Sequence, residues 1–270
     1  MGGGEPMIRV GVFGAAGRMG AMVCRTVVAE PDMELVAAVD PHHAGLDLRT
    51  VTGAEASGIQ ISPEAEALAD TGVEVAVDFT VAEAARQNLR WCAENGVHAV
   101  VGTTGLSDND FAALADMFPK EGPNCLVAPN FAIGAVLMMR FAELAAPYFE
   151  TAEVIELHHD GKADAPSGTA MLTASRMADA SAKWGPDPTK DEVVTGARGG
   201  TGPGGIHIHS VRLKGLVAHQ EVLLGTTGQS LIVRHDSYDR SSFMPGVMMA
   251  VKAIADRPGL TVGLDAFLGL

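Results

Sequence analysis

The chain has 270 residues, 47% of them hydrophobic and 19% charged, enough for two modest domains or one large one, each with its own core. A formal charge of −14 argues against nucleic acid as a partner, because phosphate contacts need a basic face, and it makes any anionic substrate depend on a local positive cluster. No run of about 18 apolar residues is present, and Met1 to Met7 has neither a basic nor an apolar leader region, so neither a membrane span nor a signal peptide is expected. Gly2 to Gly4 read as a flexible lead.

Ile8 to Phe13 reads as a strand, followed by Gly14-Ala15-Ala16-Gly17-Arg18-Met19-Gly20 and a helical pattern through Glu30. That is the strand, glycine turn and helix of a dinucleotide site: Gly14 and Gly17 allow a tight turn close to a pyrophosphate, and Gly20 lets the helix pack on the strand. The glycine pattern alone is weak. It gains weight from a second strand, Leu35 to Val39, ending in Asp40, because an acid about twenty residues beyond the turn is what holds the adenosine ribose hydroxyls.

Residues 41 to 72 are punctuated by Pro41, Gly45, Gly53, Gly58 and Pro63, and read as a segment along one edge of the sheet with a short helix near Glu64 to Ala69. Val73 to Thr80 is the next strand, opening a helix from about Val81 to Glu94. Ala99-Val100-Val101 then runs into Gly102-Thr103-Thr104-Gly105, and Asn124 to Val127 runs into Ala128-Pro129-Asn130-Phe131. Both loops follow strand carboxyl ends, where open parallel sheets bind their ligands. Strands alternating with helices to residue 130 imply a Rossmann-type doubly wound parallel sheet.

Beyond it the pattern changes. An apolar helix, Ile133 to Tyr148, leads to a strand at Ala152 to Leu157, and after a Gly/Pro-rich interval come three alternating runs beginning at His207, His219 and Ser230. This half reads as an α+β domain with a mostly antiparallel open sheet. A last helix, Ser242 to Asp256, is stopped by Pro258-Gly259. A dinucleotide-binding domain to residue 130 is therefore followed by a second domain. Gly199 to Gly205 lacks a following Gly-Lys-Ser/Thr, so it is not a P-loop, and His207, His209 and His219 are assigned to sheet faces. Cys24, Cys92 and Cys125 are odd in number and sit in apolar patterns, as reduced core thiols in a cytoplasmic protein would.

The densest chemistry lies in Glu156-Leu157-His158-His159-Asp160-Gly161-Lys162-Ala163-Asp164-Ala165-Pro166-Ser167-Gly168-Thr169-Ala170, between a strand and an Ala/Leu/Met-rich helix. Two imidazoles and an ammonium suit acid catalysis or the holding of an anion, and a crowded lysine can be drawn toward neutrality. Ser167-Gly168-Thr169 then offers amides and hydroxyls at a helix N-terminus, where a carboxylate or phosphate is favoured. Adjacent histidines on extended backbone point apart and no third ligand is near, so no metal is expected.

This motif, E-x-H-H-x-x-K-x-D-A-P-S-G-T-A, closely resembles the signature of dihydrodipicolinate reductases, and the resemblance extends over essentially the whole chain from Ile8. It implies NAD(P)H-dependent reduction of 4-hydroxy-tetrahydrodipicolinate in diaminopimelate and lysine synthesis. It implies His158 as acid/base, Lys162 as proton donor, and His159, Ser167, Gly168 and Thr169 as holders of the substrate carboxylates. It implies cofactor contacts from Gly14, Ala15, Ala16, Gly17, Arg18, Met19 and Asp40, and from Gly102, Thr103, Thr104, Ala128, Pro129, Asn130 and Phe131 beside the nicotinamide and its ribose. It further implies that 241–270 rejoins 7–130 as the dinucleotide-binding domain, leaving 131–240 for substrate binding and self-association, and that the chain forms a homotetramer. Departures fall at Gly228-Gln229 and Asp239-Arg240, where the family commonly has Gly-Glu and Ser-Arg; Arg240 is noted as a domain-contact or substrate-side charge. Because Pro41 stands where dual-specificity relatives place an Arg, NADH is expected to be preferred over NADPH. Two other readings are weighed. A dinucleotide-binding sensor would need neither His158 nor Lys162, and a semialdehyde dehydrogenase would need a nucleophilic Cys at a strand-to-helix turn, where none stands.

Overall fold

The structure, a computed structural model, describes residues 7–56 and 58–269; the glycine lead lies outside them. The chain divides into two compact units, Met1–Phe131 with Phe243–Leu270, and Ala132–Ser242.

The first unit begins with β1 (Ile8–Phe13), α1 (Arg18–Ala29), β2 (Met33–Val39), α2 (Leu48–Thr52), β3 (Val75–Asp78), α3 (Ala82–Glu94), β4 (His98–Val101), α4 (Asp108–Met117) and β5 (Cys125–Val127). Its strands are short Val- and Ala-rich runs buried on both faces, the composition a parallel sheet covered by helices requires. Helix α1 buries Gly20, Val23, Cys24 and Val27, one stripe at helical spacing. Helix α4 opens with a Ser107–Asp110 capping box.

The second unit holds α5 (Ile133–Ala145), β6 (Thr151–His158), α6 (Gly168–Ala180), β7 (Gly200–Thr201), β8 (His207–Arg212), β9 (Ala218–Thr226) and β10 (Gln229–Ser237). Its sheet runs β10-β9-β6-β8-β7. All its pairings are antiparallel except β6 with β8, so the mostly antiparallel sheet expected from the sequence is what forms. The chain then returns to the first unit as α7 (Met244–Ala253), β11 (Leu260–Val262) and α8 (Asp265–Leu268).

In the first sheet the order is β11-β5-β4-β3-β1-β2, every pairing parallel. The strand order reverses between β1 and β3, and a ligand of an open α/β sheet binds at the carboxyl ends on either side of such a reversal. The returning segment is clasped by the buried Asn124, whose amide donates to Ile254 O (2.9 Å) and Ala255 O (3.0 Å) and accepts from Gly259 N (2.9 Å). Residues 41–72 run along the β2 edge as read from the sequence, with Asp40 N bonded to Ser62 O and Ser62 N to Ala38 O.

The elements differ from the sequence reading in several places, among them the helix Ile133 to Tyr148, which ends at Ala145 and continues as a 3₁₀ turn, Ala146–Tyr148. Helix Ser242 to Asp256 is shortened to α7, with 3₁₀ turns at Arg240–Phe243 and Ile254–Asp256; Pro245 sits in the first turn of α7, where its missing N–H costs nothing. The helix near Glu64 is a 3₁₀ segment, Ala65–Thr71, closed by Gly72 at φ 64°. Strand β7 is hidden in the glycine-rich interval because glycine carries no side chain from which a two-residue period can be read.

Candidate active site

In the first unit, the residues read as a dinucleotide cradle gather at the carboxyl ends of the parallel strands. Gly14 takes φ +68°, and its amide and that of Ala15 bond to Val39 O, which ties the turn after β1 to the end of β2. Helix α1 starts at Gly17 with no side chain capping it and no acid in its first turn. Its first amides and dipole are the elements that hold a pyrophosphate. Gly20 is required by packing: a Cβ there would lie 2.0 Å from Gly14 O.

Asp40, nearly buried at the end of β2, accepts hydrogen bonds from Ala16 N (3.2 Å) and His42 N (3.1 Å) and meets His43 Nδ1 at 3.2 Å. Its carboxylate therefore stands beside the glycine turn. His43 is turned onto that acid. A cavity of about 400 Å³ adjoins it, lined among others by Gly14, Val39, Pro41, Glu64, Thr80 and Gln87.

The loops after β4 and β5 occupy the same edge. Gly102 has its amide on Asp78 O (2.8 Å), and a Cβ there would meet the Phe79 ring at 2.0 Å. Thr103 is buried on Asp78, while Thr104 is exposed. Ala128 N bonds to Val101 O (3.0 Å), Pro129 and Asn130 follow in the loop, and the Phe131 ring packs on Phe79 at 5.7 Å. Asp78 was missed by the sequence reading: 1% exposed, it accepts from Thr80 N and Asn88 Nδ2 as well as facing Thr103. Burial pushes its carboxyl above the ordinary range, against those bonds.

The second unit assembles the other half of the residues singled out. His158 ends β6, and His159 to Lys162 form a turn in which Lys162 N bonds to His159 O (3.2 Å). Ser167 caps α6 through Ala170 N (3.2 Å), and Gly168 and Thr169 form its first turn. Lys162 is paired: its Nζ makes two bonds to Asp164, at 2.7 and 2.8 Å.

Beneath these groups lies Glu156, fully buried. It shares a face of β6 with His158, two residues on, whose Nδ1 it bonds. It also accepts from Arg212 Nη1 (2.9 Å) and Nη2 (2.8 Å) and from Ser167 N (3.2 Å). Burial raises the Glu156 carboxyl, but the bonds from Arg212, Ser210 and His158 outweigh it and hold it below the ordinary carboxylate range. Burial lowers the His158 imidazole beneath its usual value, and Glu156 only partly opposes this. Arg212 escaped the sequence reading, since nothing local marks it; it reaches the site because β8 pairs with β6 in the register that sets Arg212 beside His158.

The two halves of the chain match the family models described as dihydrodipicolinate reductase N-terminus, at residues 8–131, and C-terminus, at residues 134–268. The chain belongs to the dihydrodipicolinate reductase family. A 4-hydroxy-tetrahydrodipicolinate reductase of Cutibacterium acnes is 50% identical over 270 residues, covering 98% of this chain and 100% of that protein. That of Nocardia farcinica is 52% identical over 271 residues, covering 97% and 99%. Among solved structures, the dipicolinate-bound dihydrodipicolinate reductase from Paenisporosarcina sp. TG-14 matches with a TM-score of 0.85 at 41% identity, over 96% of this chain and 99% of that one.

All three cysteines are buried, and burial pushes the Cys24 thiol up to about 12 and raises Cys92 and Cys125 as well. None is a thiolate nucleophile, which removes the semialdehyde dehydrogenase reading.

The histidines give the fold a pH signature. His98, His158 and His235 are each held below the ordinary imidazole value, in each case first by burial. A depressed histidine means that the unfolded chain binds the proton more readily. Its contribution to stability is therefore complete above the unfolded value, about 6.5, and is lost as pH falls below it. Thermal melts should give a level Tm from pH 8 to 7 and a decline from about 6.5 to 5, before the paired carboxylates titrate. A Tm that held or rose over that lower interval would contradict the assignment.

Proposed function

We propose that this chain reduces 4-hydroxy-tetrahydrodipicolinate to tetrahydrodipicolinate, the diaminopimelate and lysine pathway step carried out by its named relatives, with NADH preferred over NADPH. The observation that carries the reading is the construction of Glu156 to Ala170 as one site, with an imidazole, an ammonium and a Ser-capped helix start brought together by a single strand-to-helix loop. A dinucleotide sensor would have no use for it.

The first unit's residues fit a nicotinamide dinucleotide: the uncapped start of α1, the Asp40 carboxylate and the cavity beside it. Ala15, Ala16, Arg18 and Met19 flank the pyrophosphate in this reading, and Gly102 to Thr104 and Ala128 to Phe131 flank the nicotinamide half. When bound, the cofactor supplies the hydride. The protein must then bind two carboxylates and deliver a proton to the ring as negative charge develops there. Ser167, Gly168 and Thr169 at the start of α6, with His159, hold the carboxylates. Lys162 is the proton donor. His158, kept neutral by burial with Nδ1 on Glu156, presents Nε2 as the base or relay that restores the proton balance. That a relative was solved with dipicolinate, a planar dicarboxylate of this kind, supports the carboxylate seat.

NADH preference rests on Asp40. A carboxylate accepts from ribose hydroxyls and repels a 2′-phosphate, and the following residue is Pro41 rather than a cation. Cytoplasmic location is supported by the reduced, buried cysteines. Assembly as a homotetramer is supported by the sheet face opposite α6, where Ile155, Leu157, Leu223 and the 57% exposed Ile232 stand beside the paired Glu221 and Arg234, a half-apolar sheet surface open to a partner.

Loss of NADH absorbance with the cyclic imine generated in situ tests the reading, with kcat/KM for NADH exceeding that for NADPH by about tenfold, or about 1.4 kcal/mol. Pyridine-2,6-dicarboxylate should compete with the imine. No turnover with either cofactor would end the proposal; equal use of both at pH 8 would mean that Asp40 does not govern the choice.

A further inference from the structure

We propose that Glu156 is the positioning residue of the second unit's site: one buried carboxylate that fixes the tautomer of His158 and, through Arg212, the placement of the loop carrying Lys162. This rests on the proposed role of His158 in proton transfer and adds the group that makes the role possible.

The argument begins with hydrogens. Each carboxylate oxygen of Glu156 takes bonds from fixed donors: Oε1 from Arg212 Nη2 and Ser167 N, Oε2 from Arg212 Nη1. A carboxylate so surrounded, and held below its ordinary range, has no proton to give. The hydrogen in its bond to His158 therefore belongs to Nδ1, and a neutral His158 must carry its lone pair on Nε2. With the other tautomer, two lone pairs would face each other in a buried place.

The same carboxylate organises the loop. Arg212 Nη2, while bonded to Glu156, also donates to Asp164 O at 2.6 Å, and Asp164 in turn holds the Lys162 ammonium. Ser167, the cap of α6, is bonded to Glu156 through its own amide. Base and anion seat thus share one acceptor, and the acid is tied to it through Arg212 and Asp164. The charged groups facing His158 are Glu156, Lys162 and Arg212, so removal of the single negative charge leaves the imidazole beside two cations. An ion pair that served stability alone would not need the imidazole among its donors.

The test uses the full-length chain with ¹⁵N-labelled histidine, the His158 signals being identified by their absence from His158→Gln. In the unsubstituted chain at pH 8, Nδ1 should appear protonated and Nε2 bare. The reverse pattern overturns the proposal, whether or not any Glu156 variant folds. In Glu156→Gln the two nitrogens should average toward mixed tautomers, and kcat should fall by roughly ten- to a hundredfold while the NADH dissociation constant stays within twofold of the original. If Glu156→Gln kept both the tautomer and turnover while His158→Gln lost turnover, the positioning role would fail and the acid/base reading would stand. If His158→Gln itself kept turnover, the acid/base reading would fail, and the tautomer spectrum would still report on Glu156.

Discussion

Replacing His158 by glutamine is expected to lower kcat by on the order of 10²-fold or more, while the dissociation constant for NADH stays nearly unchanged. Glutamine keeps a polar atom within reach of Glu156 but can neither take up nor release a proton near neutral pH. The loss should fall on kcat and kcat/KM alike, because the group is needed as charge develops and not for ground-state binding. NADH fluorescence titration separates the two effects: the loops proposed for the cofactor lie on residues of the first unit, and His158 belongs to the second. Turnover at the original rate would remove His158 from the chemistry.

An effect of comparable size is expected from Gly20→Ala, by a different route. The added methyl would lie 2.0 Å from Gly14 O, 2.7 Å from Gly14 C and 2.9 Å from Ala15 Cα, all backbone atoms of the glycine turn. No side chain can rotate away. Helix α1 has to move off the turn, with a cost of about 3 kcal/mol in stability, at the upper end for overpacked cores, and the amides proposed to hold the pyrophosphate move with it. NADH affinity should drop at least tenfold, read by the same titration, and thermal melts should report the destabilisation. A variant with unaltered Tm and affinity would mean that the close approach of α1 to β1 is not needed.

The glycine turn and the Asp40 beside it were legible in the sequence because their constraints are local or regularly spaced. Gly14, Gly17 and Gly20 lie within one turn and the start of one helix, and Asp40 follows at the end of the next strand; each position is dictated by its near neighbours. The strand-to-helix motif was legible for the same reason. What the sequence did not disclose is what supports these groups. Arg212 is separated from Glu156 by 56 positions and meets it only through the parallel register of β6 and β8 in an otherwise antiparallel sheet. Asp78 reads as the polar end of a strand, and its service to Thr103, 25 positions on, exists only once β3 and β4 are paired. The ion pair of Lys162 has a similar origin: Asp164 is two residues away in the motif, but whether its carboxylate turns to the ammonium depends on the loop that Arg212 holds.

The pairing of β11 with β5 also sets a clock. Residues of a nascent chain appear in order, at roughly 5–20 per second, so the strand Cys125–Val127 is made long before its partner Leu260–Val262. For on the order of ten seconds an apolar strand, nearly inaccessible in the finished fold, has one side without a neighbour. The whole of the second unit is synthesised within that wait, as one uninterrupted stretch that needs nothing from later in the chain to complete its own sheet. The order of birth therefore runs against the order of sequence: the inserted unit finishes first, and the unit whose residues came earliest is sealed last, when Asn124 closes on Ile254, Ala255 and Gly259.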